Sequence, residues 1–364
     1  MRKRGDLVSA FIFLLPLLFT LAVAFLYAFV RTVYFSFTDY NLFQITKFVG
    51  FDNYIKLLAD YRFVLALTHS LVYAVVVTAS QTFLALMLAI VLNQKIRGLT
   101  FFRASYYVPC IASSVAITTI FIWLMNRRGT VNWFLTAIGR YWPFIITGLA
   151  LIVLVQCLQV FWERRQGLPA RVLDPALFGI SLLIGVVGAV ILGRLGVVQP
   201  YPMAEAAIPW LTTRQTFLGI PYPLLSIMML NIWTTTPTFM ILFLAGLQDV
   251  PQELYEVAEM DGATPWQKLL HVTVPALRPV LFLVITLGLI GTIQMFDQVA
   301  IMAGTAPLES TITLSYYVYW NMFGAGTLPK VGMASGAALV LAALTLFVVF
   351  IQRRLGFSEK GWYS

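Results

Sequence analysis

Long apolar runs alternate with short polar stretches along the whole chain. Eight runs stand out, at roughly 8–31, 64–93, 105–126, 143–162, 174–197, 221–247, 278–303 and 331–352. Each is close to the 20 or so residues that a helix needs to cross a bilayer. None alternates apolar and polar at every second position, as a barrel strand would. Lipid offers no water to backbone groups, so spans are expected to be helical. The pattern predicts an all-α, polytopic membrane protein with eight spans. The first run follows "MRKRG". Its apolar core is longer than that of a secretion signal and no small-residue cleavage pattern follows, so it reads as a retained anchor helix.

Composition agrees with the pattern. Of 364 residues, 60% are hydrophobic and 11% charged, where a soluble domain carries charge at about 25% of positions. The mean hydropathy is +0.86. A net charge of +9 sets orientation in such a chain and does not point to nucleic acid. With the N-terminus inside, basic residues favour the inner loops, although Arg127 and Arg128 run against the trend. An even span count puts both termini and the polar stretch at 248–279 in the cytoplasm. Cys110 and Cys157 fall in apolar runs. His69 and His271 are too few for a metal cluster. No phosphate-binding G-x-x-x-x-G-K-[ST], H-E-x-x-H or G-x-S-x-G pattern occurs. The chain is therefore expected to bind no cofactor or metal itself, to hold no catalytic residue and not to be an enzyme.

One polar stretch is built with care: "ELYEVAEMDGATPWQKLLHVTVPALRP", from Glu253. Asp249 reads as the cap of a short helix, with Pro251 in its first turn and Gln252 three residues on. Glu253 and Glu256 favour the positive end of the helix dipole. Leu254, Val257 and Ala258 fall on one face. Gly262 is placed to end the helix in the left-handed conformation. Thr264 then opens a second capping box with Gln267, and Pro275 is expected to stop that helix. Arms this short are marginal in water, so the elbow needs a surface to rest on: either its own membrane domain or a cytoplasmic partner.

These residues resemble the EAA loop of ABC importer permeases. The pattern is carried by Glu256, Val257 and Ala258, then Gly262, then Pro275, with Glu253 and Asp261 inside the same loop. Val257 replaces the first alanine of the family pattern. "FFRASYYVP", "GTVNWFL" and "GTAPLESTITLSYYVYWNMF" are similar to the sugar branch, and to the first member of a maltose/trehalose-type permease pair. The resemblance implies a six-span type I permease core, with spans 1–3 in residues 1–139 and the rest in 215–364. It implies a second permease subunit, a dimer of ATPase subunits docking on the loop at 248–279, and an extracytoplasmic sugar-binding protein. ATP and Mg would belong to the ATPase. The place would be a bacterial inner membrane. Residues 140–214 exceed the core and read as an inserted two-span hairpin, in which Gly185, Gly188 and Ala189 permit close helix contact. A re-entrant excursion is the alternative.

A sugar path needs hydrogen-bonding groups at mid-depth. Asn231, Thr234, Thr235 and Thr238 recur at helical spacing with Trp233 beside them, and Pro237 should bend that helix. Gly288, Thr292 and Gln294 extend the set, with Asp297 near the outer end. The resemblance places Tyr106, Cys110, Asn231, Thr234, Thr235, Thr238, Gly288 and Thr292 at the sugar. A polar helix–helix seam is the other reading of the same stripe. Rival functions are an ion-coupled secondary transporter, a lipid-linked glycosyltransferase and a scaffold. The first would need intramembrane carboxylates or internal repeats, and only Asp297 qualifies. The second would need acids clustered at the interface.

Overall fold

The apolar runs fold as helices because each closes its own backbone hydrogen bonds. The structure, a computed structural model, describes residues 2–43, 46–94, 99–166, 175–202, 208–324 and 328–354. In chain order the helices are α1 (Arg2–Thr20), α2 (Ala28–Ser36), α3 (Asp52–Ala59), α4 (Tyr61–Leu92), α5 (Leu99–Ile111), α6 (Ser114–Leu124), α7 (Thr130–Arg165) and α8 (Pro175–Arg194). A two-stranded ribbon follows, β1 (Thr216–Phe217) with β2 (Ile220–Pro221). Then come α9 (Tyr222–Gln248), α10 (Gln252–Met260), α11 (Pro265–Lys268), α12 (Val274–Ala276), α13 (Arg278–Ile293), α14 (Asp297–Met302), α15 (Leu308–Thr311), α16 (Leu314–Phe323) and α17 (Val331–Arg354). π-helical turns, Leu21–Tyr27 and Leu269–Thr273, join α1 to α2 and α11 to α12. Among the described residues, seven helical segments are long and apolar enough to cross a membrane.

The third run departs from a plain span. It breaks at Ala112–Ser113, and its halves meet at 102°. Pro109 lies just upstream and has no backbone donor. The break hands the first intrahelical bond of α6 to the Ser113 carbonyl, which accepts from Ile117 N–H. Counted as one span, the broken pair brings the total to the expected eight.

The chain forms two compact units, one of residues 1–121 and 211–364, the other of 122–210. In the first, α4 is the central post. It packs along α9 and α13, with Ala85, Ala89, Met240, Phe243, Leu277 and Val284 fully buried among them. Small side chains matter here because lipid tails are as apolar as leucine, so tight packing drives association. Gly332 lets α17 touch backbone: a Cβ there would lie 2.0 Å from the Thr38 carbonyl oxygen. Gly336 faces a side chain instead, its Cβ position falling 3.1 Å from Leu57 Cδ1.

The second unit is a helical pair. α7 begins at Thr130, so "GTVNWFL" is its first turn and belongs with the helix of the fourth run. The expected glycines do close the pair. A Cβ on Gly185 would lie 2.3 Å from Ile152 Cγ1 and 3.0 Å from the Gly148 carbonyl oxygen, and one on Gly188 2.9 Å from Leu151. Polar groups lock the same seam. Ser181 Oγ lies 2.6 Å from Gln156 Oε1 and 3.0 Å from Gln159 Oε1. At the unit's neck, buried Asn132 donates to the Ile208 carbonyl and accepts from Trp210 Nε1. Most of the expected joint "ERRQGLPARVLD", from residue 167 on, lies outside the described residues, as do Lys95, Arg97 and Lys360.

Candidate functional site: a braced elbow and a mid-span polar seam

The elbow forms largely as its sequence dictates. α10 ends at Asp261, and Gly262 takes a left-handed φ of +74° with nothing within 4 Å of where a Cβ would stand. Gly262 N–H donates to the Glu259 carbonyl and Ala263 N–H to that of Ala258, the paired bonds of a Schellman turn. Thr264 forms the expected capping box with Gln267. Asp249 does not cap α10. It closes α9 in a helical conformation, while Pro251, extended at ψ 131°, stands at the N-cap without a side-chain bond. Pro275 does not stop the second arm. The π-turn before it absorbs the missing donor, and the arm continues through Ala276.

Two ties cross the corner. Lys268 Nζ reaches Glu259 Oε1 at 2.5 Å, and the Tyr255 and Thr273 hydroxyls meet at 3.0 Å. The inner face of α10 is made by Leu254, Tyr255 and Ala258, all half-buried; Val257, expected with them, points outward. Glu253, Glu256 and Asp261 are exposed as expected. Val257, Met260, Trp266 and Leu270 are apolar and exposed on the elbow, Met260 at 87%. The arm ends on Leu277, which is fully buried beside Leu92 and Leu247. The elbow thus seats at the C-terminal end of α4.

The mid-span stripe of α9 divides in two. Asn231 and Thr235 face α4 and α13: Thr235 Oγ1 lies 2.7 Å from Gln81 Oε1 and 2.6 Å from the Asn231 carbonyl. Asn231 Nδ2 approaches Met295 Sδ at 3.7 Å. Buried Thr292 meets Thr78 at 3.1 Å. Gly288 leaves room for Gln81 and Thr78, its Cβ position falling 2.8 Å from Gln81 Nε2. Trp233, Thr238, Tyr106, Cys110 and Gln294 instead stay exposed, while Thr234 is partly so and bonds its own helix backbone. Cys110 Sγ lies 3.0 Å from Thr238 Oγ1, which ties α5 to α9. Asp297 is exposed in the first turn of α14.

At the other end of α4, Asp60 caps the helix by accepting from Arg62 N–H and also accepts from the Tyr317 hydroxyl at 2.6 Å. Burial, with the Asp60 carboxylate beside it, pushes the Tyr317 phenol far above its ordinary value. Glu309 pairs with both Arg62 and Arg214.

The family described as binding-protein-dependent transport system inner membrane component matches residues 166–358, more than half of the chain. The chain belongs to it. Among relatives, the lactose transport system permease LacF of Rhizobium radiobacter is 27% identical, over 96% of this chain and 94% of that one. The multiple sugar-binding transport system permease MsmF of Streptococcus mutans is 26% identical, over 94% and 93%. A bacterial alginate ABC transporter chain, 18% identical, superposes with a TM-score of 0.65 over 99% of this chain and 97% of that chain. The protein is thus a permease of the binding-protein-dependent type, a multi-pass transport subunit and not an enzyme.

Gln81 and Thr78 are the permease residues that the sequence reading missed. Both sit on α4, whose long apolar run masks them; the signal available was two polar positions three apart, opposite the α9 stripe. Tyr255 and Thr273 were missed too, since nothing local in the sequence pairs a tyrosine with a threonine eighteen residues on.

Proposed function

We propose that this permease forms one half of the transmembrane path of an ATP-driven importer for a di- or oligosaccharide. A second permease supplies the other half, a pair of ATPase subunits docks on the elbow, and an extracytoplasmic binding protein delivers the sugar. The reading is of a bacterial plasma membrane with both termini in the cytoplasm. The observation that carries it is the exposure of apolar Val257, Met260, Trp266 and Leu270 on an elbow rooted, through Leu277, in the buried core. A loop resting on its own domain would turn these side chains inward. Relatives that carry lactose or multiple sugars support the substrate class.

The chain's own residues then divide the work. ATPase closure pulls on the corner around Glu253–Gly262. The arm passes the displacement to α13, and the α4–α9–α13 seam is what must rearrange between inward- and outward-open states. Trp233, Thr234, Thr238, Tyr106, Cys110 and Gln294 offer aromatic and hydroxyl contacts to a sugar. Asn231, Thr235, Gly288 and Thr292 set the seam behind them. The ion-coupled alternative has only Asp297, which is exposed in the first turn of α14.

Uptake of labelled lactose, maltose, trehalose and maltotriose into vesicles holding the complete complex tests the reading. ATP-dependent accumulation of at least one sugar is expected, and uptake driven by an ion gradient without ATP would overturn it. A Met260→Cys variant should crosslink to a nucleotide-hydrolysing subunit in native membranes. Asn231→Leu should lower uptake roughly tenfold or more while the ATPase still assembles, since losing its amide alters the seam by about one buried hydrogen bond.

A further inference from the structure

An aromatic ladder on α16 is not part of the seam or the elbow. Tyr316, Tyr319, Trp320 and Phe323 share one helix face at spacing 0, 3, 4, 7. Their rings are in contact: Tyr316–Tyr319 at 5.9 Å, Tyr316–Trp320 at 6.4 Å and Tyr319–Phe323 at 5.4 Å between centroids. Phe296, from the segment after α13, joins them at 5.3 Å from Tyr319 and 6.3 Å from Tyr316. Exposure differs along the ladder, from 5% at Tyr316, through a half-buried Trp320, to 41% at Tyr319 and 65% at Phe323.

We propose that Phe296, Tyr316, Tyr319, Trp320 and Phe323 form a stacking track for a saccharide, leading from the surface to the Asn231 seam. The inference rests on the sugar-import reading above. Three observations carry it. A core stripe would be buried throughout, whereas this one ranges from buried to open. The inner end is flanked by hydrogen-bonding groups: Gln294 and Asp297, both exposed, stand two and one residues from Phe296. That end also joins the seam through Met295, whose sulfur meets Asn231 Nδ2 and whose carbonyl accepts from Thr313 Oγ1 at 2.9 Å. The face of a pyranose presents polarised C–H groups, and an aromatic face is the negative side of its quadrupole. Its rim of hydroxyls suits an amide and a carboxylate. Successive rings let a chain of sugars keep one contact while making the next. The track lies with Asp60 and Arg62 at the N-terminal end of α4, because Phe63 and Tyr317 meet edge-to-face at 5.5 Å between centroids. The elbow is at the other end of that 32-residue helix, about 45 Å away.

The test uses the complete transporter in proteoliposomes with its binding protein and the four sugars named above. In a Tyr319→Ala/Phe323→Ala variant, the apparent KM for the carried sugar should rise roughly five- to tenfold, with maximal rate changed by less than about twofold, the loss expected for one or two stacking contacts. Phe323→Tyr should keep the wild-type KM and Phe323→Leu should not. An unchanged KM in the double variant overturns the track alone. So does Phe323→Leu behaving like wild type, because a contact with lipid or a neighbouring subunit needs only apolar bulk. A wild-type complex that carries none of the sugars overturns both the track and the reading on which it rests.

Discussion

Gly262 is where a single residue decides most. Its φ of +74° costs glycine little, while an L-residue there pays about 1–2 kcal/mol. The surrounding space is empty, so the penalty is conformational and not steric. Gly262→Val is expected to lower sugar uptake per ATP hydrolysed, with membrane insertion unchanged, measured as the uptake-to-hydrolysis ratio. Gly262→Asn should lose much less, because asparagine tolerates that region. Thr264→Ala removes a cap and should destabilise the second arm by about 1 kcal/mol, visible as faster amide exchange at Gln267. Both positions were legible in the sequence, since left-handed turns and capping boxes are local chemistry. Asp249 was misread because the same residue type serves either helix end. The greasy run of α9 continued one residue further and claimed it, which left the N-cap to Pro251.

Among elements, the glycine-rich contacts make the firmest expectations. Gly332→Ala would drive a methyl into the Thr38 carbonyl. Backbone cannot swing aside as a side chain can, so α17 should detach from the segment around Thr38; the check is a large drop in detergent melting temperature, larger than for Gly336→Ala. Gly185→Leu should open the α7–α8 pair, read as new protease cleavage within 122–210. The apolar runs located these helices well. Their internal breaks were hidden. The run at 105–126 carries Ser113 and Ser114 at the break, but small hydroxyl residues also sit inside intact spans, and its one proline lies upstream of Ala112–Ser113. In the second arm the reverse occurred. Pro275 looked like a stop, yet a π-turn took up the missing donor, and such turns leave no sequence pattern.

For the whole molecule, the helical class and span count were legible because membrane thickness imposes a length that any sequence must display, and the family was legible through the resemblance at Glu256, Val257, Ala258, Gly262 and Pro275. The mid-span polar seam was legible only in part. Helical spacing put Asn231, Thr234, Thr235 and Thr238 on one stripe, but spacing does not say which edge of the stripe a neighbour covers. α4 covers it at Asn231 and Thr235, with Gln81 reaching across, while Thr238 and Trp233 stay open. Orientation gives a prediction at this scale. Reporter tags at the N-terminus and after Arg354 should both be shielded in intact cells and both become accessible once the membrane is opened; tags on opposite sides would remove the elbow from the cytoplasm.

The two ties across the elbow give the corner a third side. A hinge with only one pivot would bend under load and waste the stroke. Glu259 with Lys268 near the vertex, and Tyr255 with Thr273 further out, triangulate it, like the strut of a shelf bracket. On the proposed docking, a push on the outer flank would carry the root at Leu277 with the braced corner.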